Sequence, residues 1–263
     1  MSLSEPEAIY LYTVTRADHE AVDGPGIEDR PLHRLRHDPF IATVSIVDKS
    51  DWVGEASADH MQSLSWVGPR AYRHEQVVEA VMDEAGPVFP ARFGTLYSGP
   101  EEVREALDTH RATLLSFFET IAGAEEWAVK GLLDRDEAKA HLAEAAPSEA
   151  ESGTDYLQRR KQVQDAETEL DDWLDETAEA LLDPLGATAR ETRVLPVQGN
   201  AGREADVVFN WAFLVPNANV EAFRTEVERA GQDHDATGLT LDLTGPWPPY
   251  NFRPTLDEEG NDA

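Results

Sequence analysis

The sequence predicts an α+β protein of two domains, in which helices pack against sheets. The chain has 263 residues, enough for two ordinary domains or one large one. Short β-branched and aromatic segments alternate with longer segments whose apolar residues recur at helical spacing. From residue 125 onward these segments follow one recognisable order. We therefore expect a first domain at 1–124, a second domain at 125–254, and a disordered acidic tail at 255–263.

The first domain is expected to contain strands and helical segments in alternation. Gly68-Pro69 should interrupt its early helical region, because proline has no N–H to donate within a helix. Ser98 is expected to act as a helix N-cap or to lie next to the N-cap, with Glu101 three positions later. In chain order we predict strands at 8–15 and 39–47, helices starting near residues 59 and 69, a strand at 87–97 and a helix ending near residue 122.

The second domain is expected to fold as a strand–helix–strand–strand–helix–strand unit. That order is the ferredoxin-like pattern, and we interpret the first domain as a modified version of the same two-layer arrangement. A small, polar, proline-led stretch at 147–154 is the best candidate for a linker. The predicted elements are a strand at 125–133, a short helix, a long helix at about 155–185, strands at 189–198 and 205–215, a helix at 217–231 and a strand at 237–245.

The long helix is expected to be amphipathic. Its apolar residues trace one stripe at near-heptad spacing, and its opposite face is strongly acidic. Trp173 lies in this stripe, so Trp173→Ala should lower the free energy of unfolding by about 3–5 kcal/mol if the stripe is buried. The stripe comprises Tyr156, Val163, Leu170, Trp173, Leu174, Leu181 and Leu185.

The charge and composition disfavour several classes of partner. The chain carries 52 acidic against 22 basic residues, a formal net charge of −30. Nucleic-acid binding needs a cationic footprint that this composition lacks, and anionic membrane surfaces are disfavoured for the same reason. No apolar run approaches the roughly 18 residues of a membrane span, and the N-terminus has no secretory signal. Because cysteine is also absent, we expect a cytoplasmic protein.

The basic residues are unevenly divided, with only four lysines among the 22. Acidic excess with scarce lysine indicates adaptation to high salt, because the Debye length is only about 3 Å at 1 M and the surface no longer repels itself. An acidic protein from a moderate-salt cell is the alternative. We predict that the melting temperature rises between dilute buffer and molar salt. The same melting temperature in both would contradict the high-salt interpretation.

The sequence offers no complete catalytic, cofactor or metal motif. His74 and Glu75 begin an HExxH-like pattern, but position 78 is Val78, so the second zinc ligand is missing. We interpret the pair as exposed polar residues on a half-buried helix. No phosphate-binding glycine loop or nucleophile elbow is present, and a cysteine nucleophile is impossible. We therefore expect no catalytic residue, no cofactor and no metal ion.

The segment Arg92-Phe93-Gly94-Thr95 admits two interpretations. Arg92 could brace a strand by pairing with a carboxylate, while Gly94 permits a bend or a close backbone approach. The alternative is an enzyme whose pocket lies near Arg92. Nothing in the sequence places a base, a nucleophile and a cleft around this residue, so we favour the structural interpretation.

Aromatic residues supply further candidates for partner binding. The stretch 245–252 combines three prolines with Trp247, Tyr250 and Phe252, which makes it stiff. It either folds back to seal the core or presents its aromatic side chains to a partner. The other candidate structural or partner-binding residues are Arg92, Phe93, Gly94, Trp127 and Trp173.

Several stretches of the chain share the motifs of one known family. The most specific are "VFPARFGTLY" at 88–97, "EEWAVKGLL" at 125–133 and "GPWPPYNF" at 245–252. Shorter matches such as "YLYTV" and "NWAFLV" occur in the same order, and together they cover nearly the whole chain. On these motifs the chain resembles the gas vesicle accessory protein family GvpF/GvpL. Its acidic composition is similar to that of haloarchaeal members, and its length suits the L branch better than the F branch.

The resemblance implies a protein that binds and does not catalyse. Members of this family are accessory proteins of gas vesicle formation, with two modified ferredoxin-like domains and a long helix. The implied partners are the small apolar shell protein and other accessory proteins, in the cytoplasm and in association with the gas vesicle. No catalytic residue carries over. A chaperone or scaffold role is expected, and a minor structural role in the vesicle wall is the alternative.

Overall fold

The fold is described by a computed structural model of the chain. The linker expected at 147–154 and the tail from residue 257 lie outside the residues that it describes. The described residues are 7–16, 24–145, 157–197 and 205–256.

The contacts within the chain divide it into two compact units. Unit 1 comprises Met1–Ala122 and Pro248–Ala263, and unit 2 comprises Gly123–Trp247. The two units therefore differ from the expected domains at residues 123–124, which group with unit 2, and at residues 248–254, which group with unit 1. A local reason is that Tyr250, in this returning segment, hydrogen-bonds Glu75 of unit 1.

Unit 1 is built on an antiparallel sheet with the strand order β2-β3-β1-β4, and β5 also pairs with β1. Tyr12 of β1 bonds Ser45 of β3 and packs with α2, whereas Phe40 of β3 stacks on Phe118 of α4. Strand alternation places Ser45 and Phe40 on opposite faces, so both faces of the sheet are covered. The elements are β1 Glu7–Arg16, β2 His33–His37, β3 Phe40–Asp48, α1 Glu55–Gln62, α2 Leu64–Ala85, β4 Phe89–Pro90, β5 Leu96–Tyr97, α3 Pro100–Thr109 and α4 Arg111–Ile121.

Two features of the early part of unit 1 differ from the sequence-based expectation. Strand β2 was not predicted, because its sequence HRLRH holds a single apolar residue, Leu35, which is buried. The helical region is interrupted at Ser63 and not at Gly68-Pro69, which lies inside α2. The helix can start before the proline because the Ser63 carbonyl accepts bonds from the N–H groups of Trp66 and Val67.

The predicted strand at 87–97 and the predicted helix at 98–122 are each divided. Within residues 87–97 only the short segments β4 and β5 pair with β1, and a turn separates them. The helix is broken at His110 into α3 and α4. The N-cap of α3 is Gly99, directly after Ser98, and Pro100 occupies the first helical position. Ser98 donates its hydroxyl to the Glu102 carboxylate at 2.6 Å.

Unit 2 has the predicted strand–helix–strand–strand–helix–strand order. Its four strands form an antiparallel sheet ordered β7-β8-β6-β9. Because β6 and β7 both run antiparallel to β8, they are parallel to each other, as a split strand–helix–strand unit requires. The elements are β6 Ala124–Leu133, α5 Arg135–Ala145, α6 Leu157–Thr188, β7 Glu191–Val194, β8 Asp206–Pro216, α7 Val220–His234 and β9 Leu239–Trp247.

The core of unit 2 lies between its sheet and its helices. From α6, Leu170, Leu181 and Leu185 are buried in it, while Trp173 and Leu174 are only partly buried. The side chains of Tyr156 and Val163, the first part of the predicted stripe, lie outside the described residues. The described part of the long helix therefore buries an apolar stripe whose most enclosed members are leucines.

Candidate functional site

The segment Arg92-Phe93-Gly94-Thr95 forms a turn between β4 and β5. The Thr95 N–H donates to the Arg92 carbonyl at 3.1 Å, and Gly94 has a φ of +84°, a conformation that favours glycine. The backbone on either side of the turn is bound to β1, since the Leu11 N–H donates to the Thr95 carbonyl at 3.0 Å. The turn is therefore held against the central strand of the sheet.

A buried aromatic cluster anchors this turn from beneath. The Gly94 N–H donates to the Tyr10 hydroxyl at 3.0 Å, and that hydroxyl lies 2.9 Å from Nδ1 of His74. The tautomer of His74 decides which of these two groups is the donor in that bond. The Phe93 ring packs beside Tyr10 and Trp52, with centroids 6.3 and 5.4 Å away.

His74 is a neutral core residue and not the exposed helix residue that we expected. Its side chain is 0% exposed, and Tyr12 stacks on its ring at a centroid distance of 5.6 Å. Burial lowers the pKa of His74 to about 4, although the nearby Ala91 backbone opposes the shift. Burial likewise raises the pKa of Tyr10 above its ordinary value. At neutral pH the cluster therefore holds uncharged hydrogen-bonding groups.

Glu75, the neighbour of His74, is also partly buried. Its carboxylate accepts a hydrogen bond from the Tyr250 hydroxyl at 2.9 Å. Burial raises the pKa of Glu75, whereas the bond from Tyr250 lowers it. This bond fixes the segment that begins at Pro248, and Phe252 in the same segment is buried with 5% exposure. Tyr250 and Phe252 thus contribute to the interior of unit 1.

We predict that Tyr250→Phe lowers the free energy of unfolding by about 1–3 kcal/mol at neutral pH. The reason is that the partly buried Glu75 carboxylate loses a donor and keeps its desolvation cost. Urea denaturation measures the change. Tyr72→Phe is the matched control, because the Tyr72 side chain is 67% exposed, and we expect a change below about 0.5 kcal/mol there. Equal effects of the two substitutions would contradict the role of the Tyr250 hydroxyl.

Arg92 does not brace the strand through an ion pair within the described part of the chain. Its side chain is exposed, and its carbonyl accepts the bonds that close the turn. The guanidinium of Arg92 instead lies near that of Arg253, and burial together with this like charge lowers the pKa of Arg253. The turn at 92–95 depends on its backbone, on Phe93 and on Gly94.

The tryptophans singled out in the sequence belong to unit 2 and have different environments. Trp127 on β6 is buried, and the Arg224 guanidinium lies 5.8 Å from its ring centroid. Trp173 is half-buried against the core. Trp247, at the end of β9, is 42% exposed, and its indole N–H donates to the Thr244 hydroxyl at 3.1 Å. Of the aromatic residues at 245–252, Trp247 is therefore the one presented to solvent.

Unit 1 has a group of exposed apolar residues that was not predicted from the sequence. Val53, Met61, Leu64 and Tyr72 are 49%, 42%, 87% and 67% exposed. We call these four residues the 53–72 apolar surface. Of the four, Met61 borders the turn, since its methyl carbon lies 3.6 Å from the position that a Cβ at Gly94 would occupy. Leu64 and Tyr72 were detectable as apolar residues off the stripe of Val77, Val78 and Val81, but only the structure shows their exposure.

The described residues contain no group of three or more histidine, aspartate or glutamate side chains arranged to hold a metal ion. None of the helices in the described ranges combines the length and the hydropathy needed to cross a bilayer.

Comparison with known proteins gives consistent matches along the whole chain. The family of gas vesicle synthesis protein GvpL/GvpF matches residues 8–254. Gas vesicle protein L of a Streptomyces species is 29% identical over 262 residues, which cover 95% of this chain and 94% of the relative. Gas vesicle protein L2 of Halobacterium salinarum is 26% identical over 289 residues, covering 99% of this chain and 96% of the relative.

Solved structures show the same fold. The crystal structure of the gas vesicle protein GvpF from Anabaena superposes with a TM-score of 0.72 at 21% identity, covering 95% of this chain and 97% of the other. The GvpF structure from Microcystis aeruginosa gives a TM-score of 0.69 at 19% identity, covering 94% and 99%. With the family match over residues 8–254, these comparisons show that the chain belongs to the gas vesicle synthesis protein GvpL/GvpF family.

Proposed function

We propose that this protein acts in gas vesicle assembly by binding the apolar shell protein, and other accessory proteins, as a chaperone or scaffold. Membership of the GvpL/GvpF family supports a part in gas vesicle assembly. The subunits of a gas-enclosing shell must turn apolar surface towards gas, so unassembled subunits tend to aggregate. A strongly charged partner that covers this surface keeps the subunits dispersed, and this protein carries a net charge of −30.

The observation that carries this proposal is the 53–72 apolar surface. Four large apolar side chains are exposed within 20 residues of a protein whose surface is otherwise rich in carboxylates. Leu64 is the most exposed of them at 87%. Exposed apolar groups surrounded by charge are typical of protein-binding surfaces. The aromatic stretch 245–252 contributes less, because Tyr250 and Phe252 are directed into unit 1.

The test is suppression of shell-protein aggregation. Purified shell protein is diluted from denaturant into molar salt, and light scattering is followed with and without this protein. We expect the wild type to suppress the scattering. The double variant Leu64→Ser/Tyr72→Ser should need at least a fivefold higher concentration than the wild type for the same suppression. The matched control is Val194→Ser/Val197→Ser, which removes two apolar residues that are 70% and 43% exposed in unit 2 and should leave suppression unchanged.

Pull-downs in the same salt distinguish the remaining roles. Recovery of other accessory proteins without shell protein would replace direct shell binding by a scaffold role. Retention of this protein in purified, washed vesicles in constant proportion to shell protein would favour the wall-component role. Equal loss of suppression in both double variants would show that the 53–72 apolar surface has no special part.

A further inference from the structure

The strand β2 lies at one edge of the sheet of unit 1. It pairs with β3 alone, in a register that runs from His33 opposite Val44 to His37 opposite Phe40. Among the described residues, no strand pairs with its outer edge. An antiparallel edge strand turns the N–H and C=O of every second residue outward, so β2 presents unpaired backbone groups.

This edge is cationic in a protein that is otherwise strongly acidic. Between Asp29 and Asp38 the chain has no acidic residue, and it holds three arginines and two histidines. Within β2, Arg34 and Arg36 are exposed and flank the buried Leu35. Alternation along the strand places these two guanidiniums on one face, opposite to that of Leu35 and His37. Helix α3 lies on the face that carries His37. Nε2 of His37 is 2.8 Å from the carboxylate of Asp108 on that helix.

Arg34 and Arg36 form no ion pair within the described part of the chain, whereas eight other arginines do. Arginines within 3.0 Å of a carboxylate oxygen are Arg70, Arg104, Arg111, Arg135, Arg193 and Arg229.

The two edge strands of the unit 2 sheet, β7 and β9, carry different charges from β2. On β7, Arg193 is paired with Glu191 of the same strand at 2.6 Å, and on β9 the exposed residue Asp242 is acidic. A charge that only prevents edge pairing can have either sign. Two arginines at i and i+2 that have no carboxylate partner among the described residues repel basic strands and attract acidic ones, so they select a partner by its charge.

We propose that the outer edge of β2 is a docking site for an acidic, extended segment of a partner protein, which adds to the sheet as a further strand. Backbone hydrogen bonds to β2 supply the general affinity. Arg34 and Arg36 project from the same face of β2, and alternate residues of an added strand project from that face as well. Carboxylates at alternate positions of the segment therefore pair with the two arginines. The site uses none of the residues of the 53–72 apolar surface, and it does not depend on binding to the shell protein.

The test uses a fluorescein-labelled octapeptide of alternating glutamate and threonine. Fluorescence anisotropy is measured with the full-length protein at the lowest salt concentration at which circular dichroism shows it folded. We expect saturable binding by the wild type. For Arg34→Gln/Arg36→Gln we expect a dissociation constant at least tenfold larger. The control Arg104→Gln/Arg229→Gln changes net charge equally at two helix arginines and should stay within twofold of wild type. The same peptide with alternate backbone nitrogens methylated should bind at least tenfold more weakly.

Three outcomes would overturn the proposal. The first is no saturable binding of the peptide by the folded wild type. The second is an equal loss of affinity in both double variants, which would mean that only overall charge matters. The third is undiminished binding of the methylated peptide, or tighter binding of a single-stranded oligonucleotide, because either would show that the arginines recognise an anion without adding a strand.

Discussion

Leu185→Ala is expected to lower the free energy of unfolding by about 2–5 kcal/mol. Leu185 lies near the end of α6 and is 0% exposed, within the core that the helix forms with the sheet of unit 2. Truncation removes buried methyl groups and leaves a cavity that the surrounding aromatic side chains fill only in part. Denaturation by urea, in the salt concentration that maintains the fold, measures the loss.

Two other residues of α6 make this prediction specific to buried positions. Glu176→Ala changes an exposed residue and should alter the free energy of unfolding by less than about 0.5 kcal/mol. Trp173 is half-buried, so Trp173→Ala should cost less than the about 3–5 kcal/mol of a fully buried tryptophan. A loss at Leu185 no larger than that at Glu176 would show that the stripe does not pack as described.

Acidification is expected to destabilise the protein through His74. The pKa of His74 is depressed from 6.5 to about 4 in the folded protein, so the unfolded chain takes up this proton first. The stabilisation is therefore fully present above pH 6.5 and is lost as the pH falls through about 4. By linkage the loss amounts to about 3 kcal/mol. Urea denaturation at several pH values between 7 and 4 measures it.

The comparison with His74→Asn isolates this effect. Asparagine can still accept a hydrogen bond from Tyr10 but has no proton to gain, so the variant should be less stable at pH 7 and show a shallower fall towards pH 4. Glu75, whose pKa is raised, contributes with the opposite sign in both proteins and cancels in the comparison. Identical slopes for wild type and variant would mean that His74 is not held neutral by burial.

Much of unit 2 could be predicted from the sequence because its elements obey local rules. Strands such as β6 contain β-branched and aromatic residues, and glycines mark the ends of segments. The order of the segments matches the ferredoxin-like motif. In unit 1 the central strands β1 and β3 were also recognisable. Both are buried on two faces, so their sequences are mostly apolar, with only threonine and serine interspersed among the buried positions.

The candidate site was less predictable because its parts are far apart in the chain. Gly94 binds Tyr10 across 84 residues, and Tyr250 binds Glu75 across 175. No local pattern reveals that His74 is buried beneath the turn, since histidine is intermediate in its tendency to be buried and residue type therefore does not decide the matter. Strand β2 was not predicted for a related reason. Its sequence is mostly basic, and only its pairing with β3 defines it as a strand.

The sequence by itself determined the fold class, the net charge of −30 and the family motifs, because composition and short-range periodicity are properties of the chain alone. Only the tertiary structure decided which residues are buried and which are exposed. Burial depends on neighbours brought together from distant segments: Tyr10 over His74, and Glu75 against Tyr250. The exposed Leu64 and the unpaired Arg34 became candidates for binding in the same way, since within the described residues the folded chain leaves them without a covering partner.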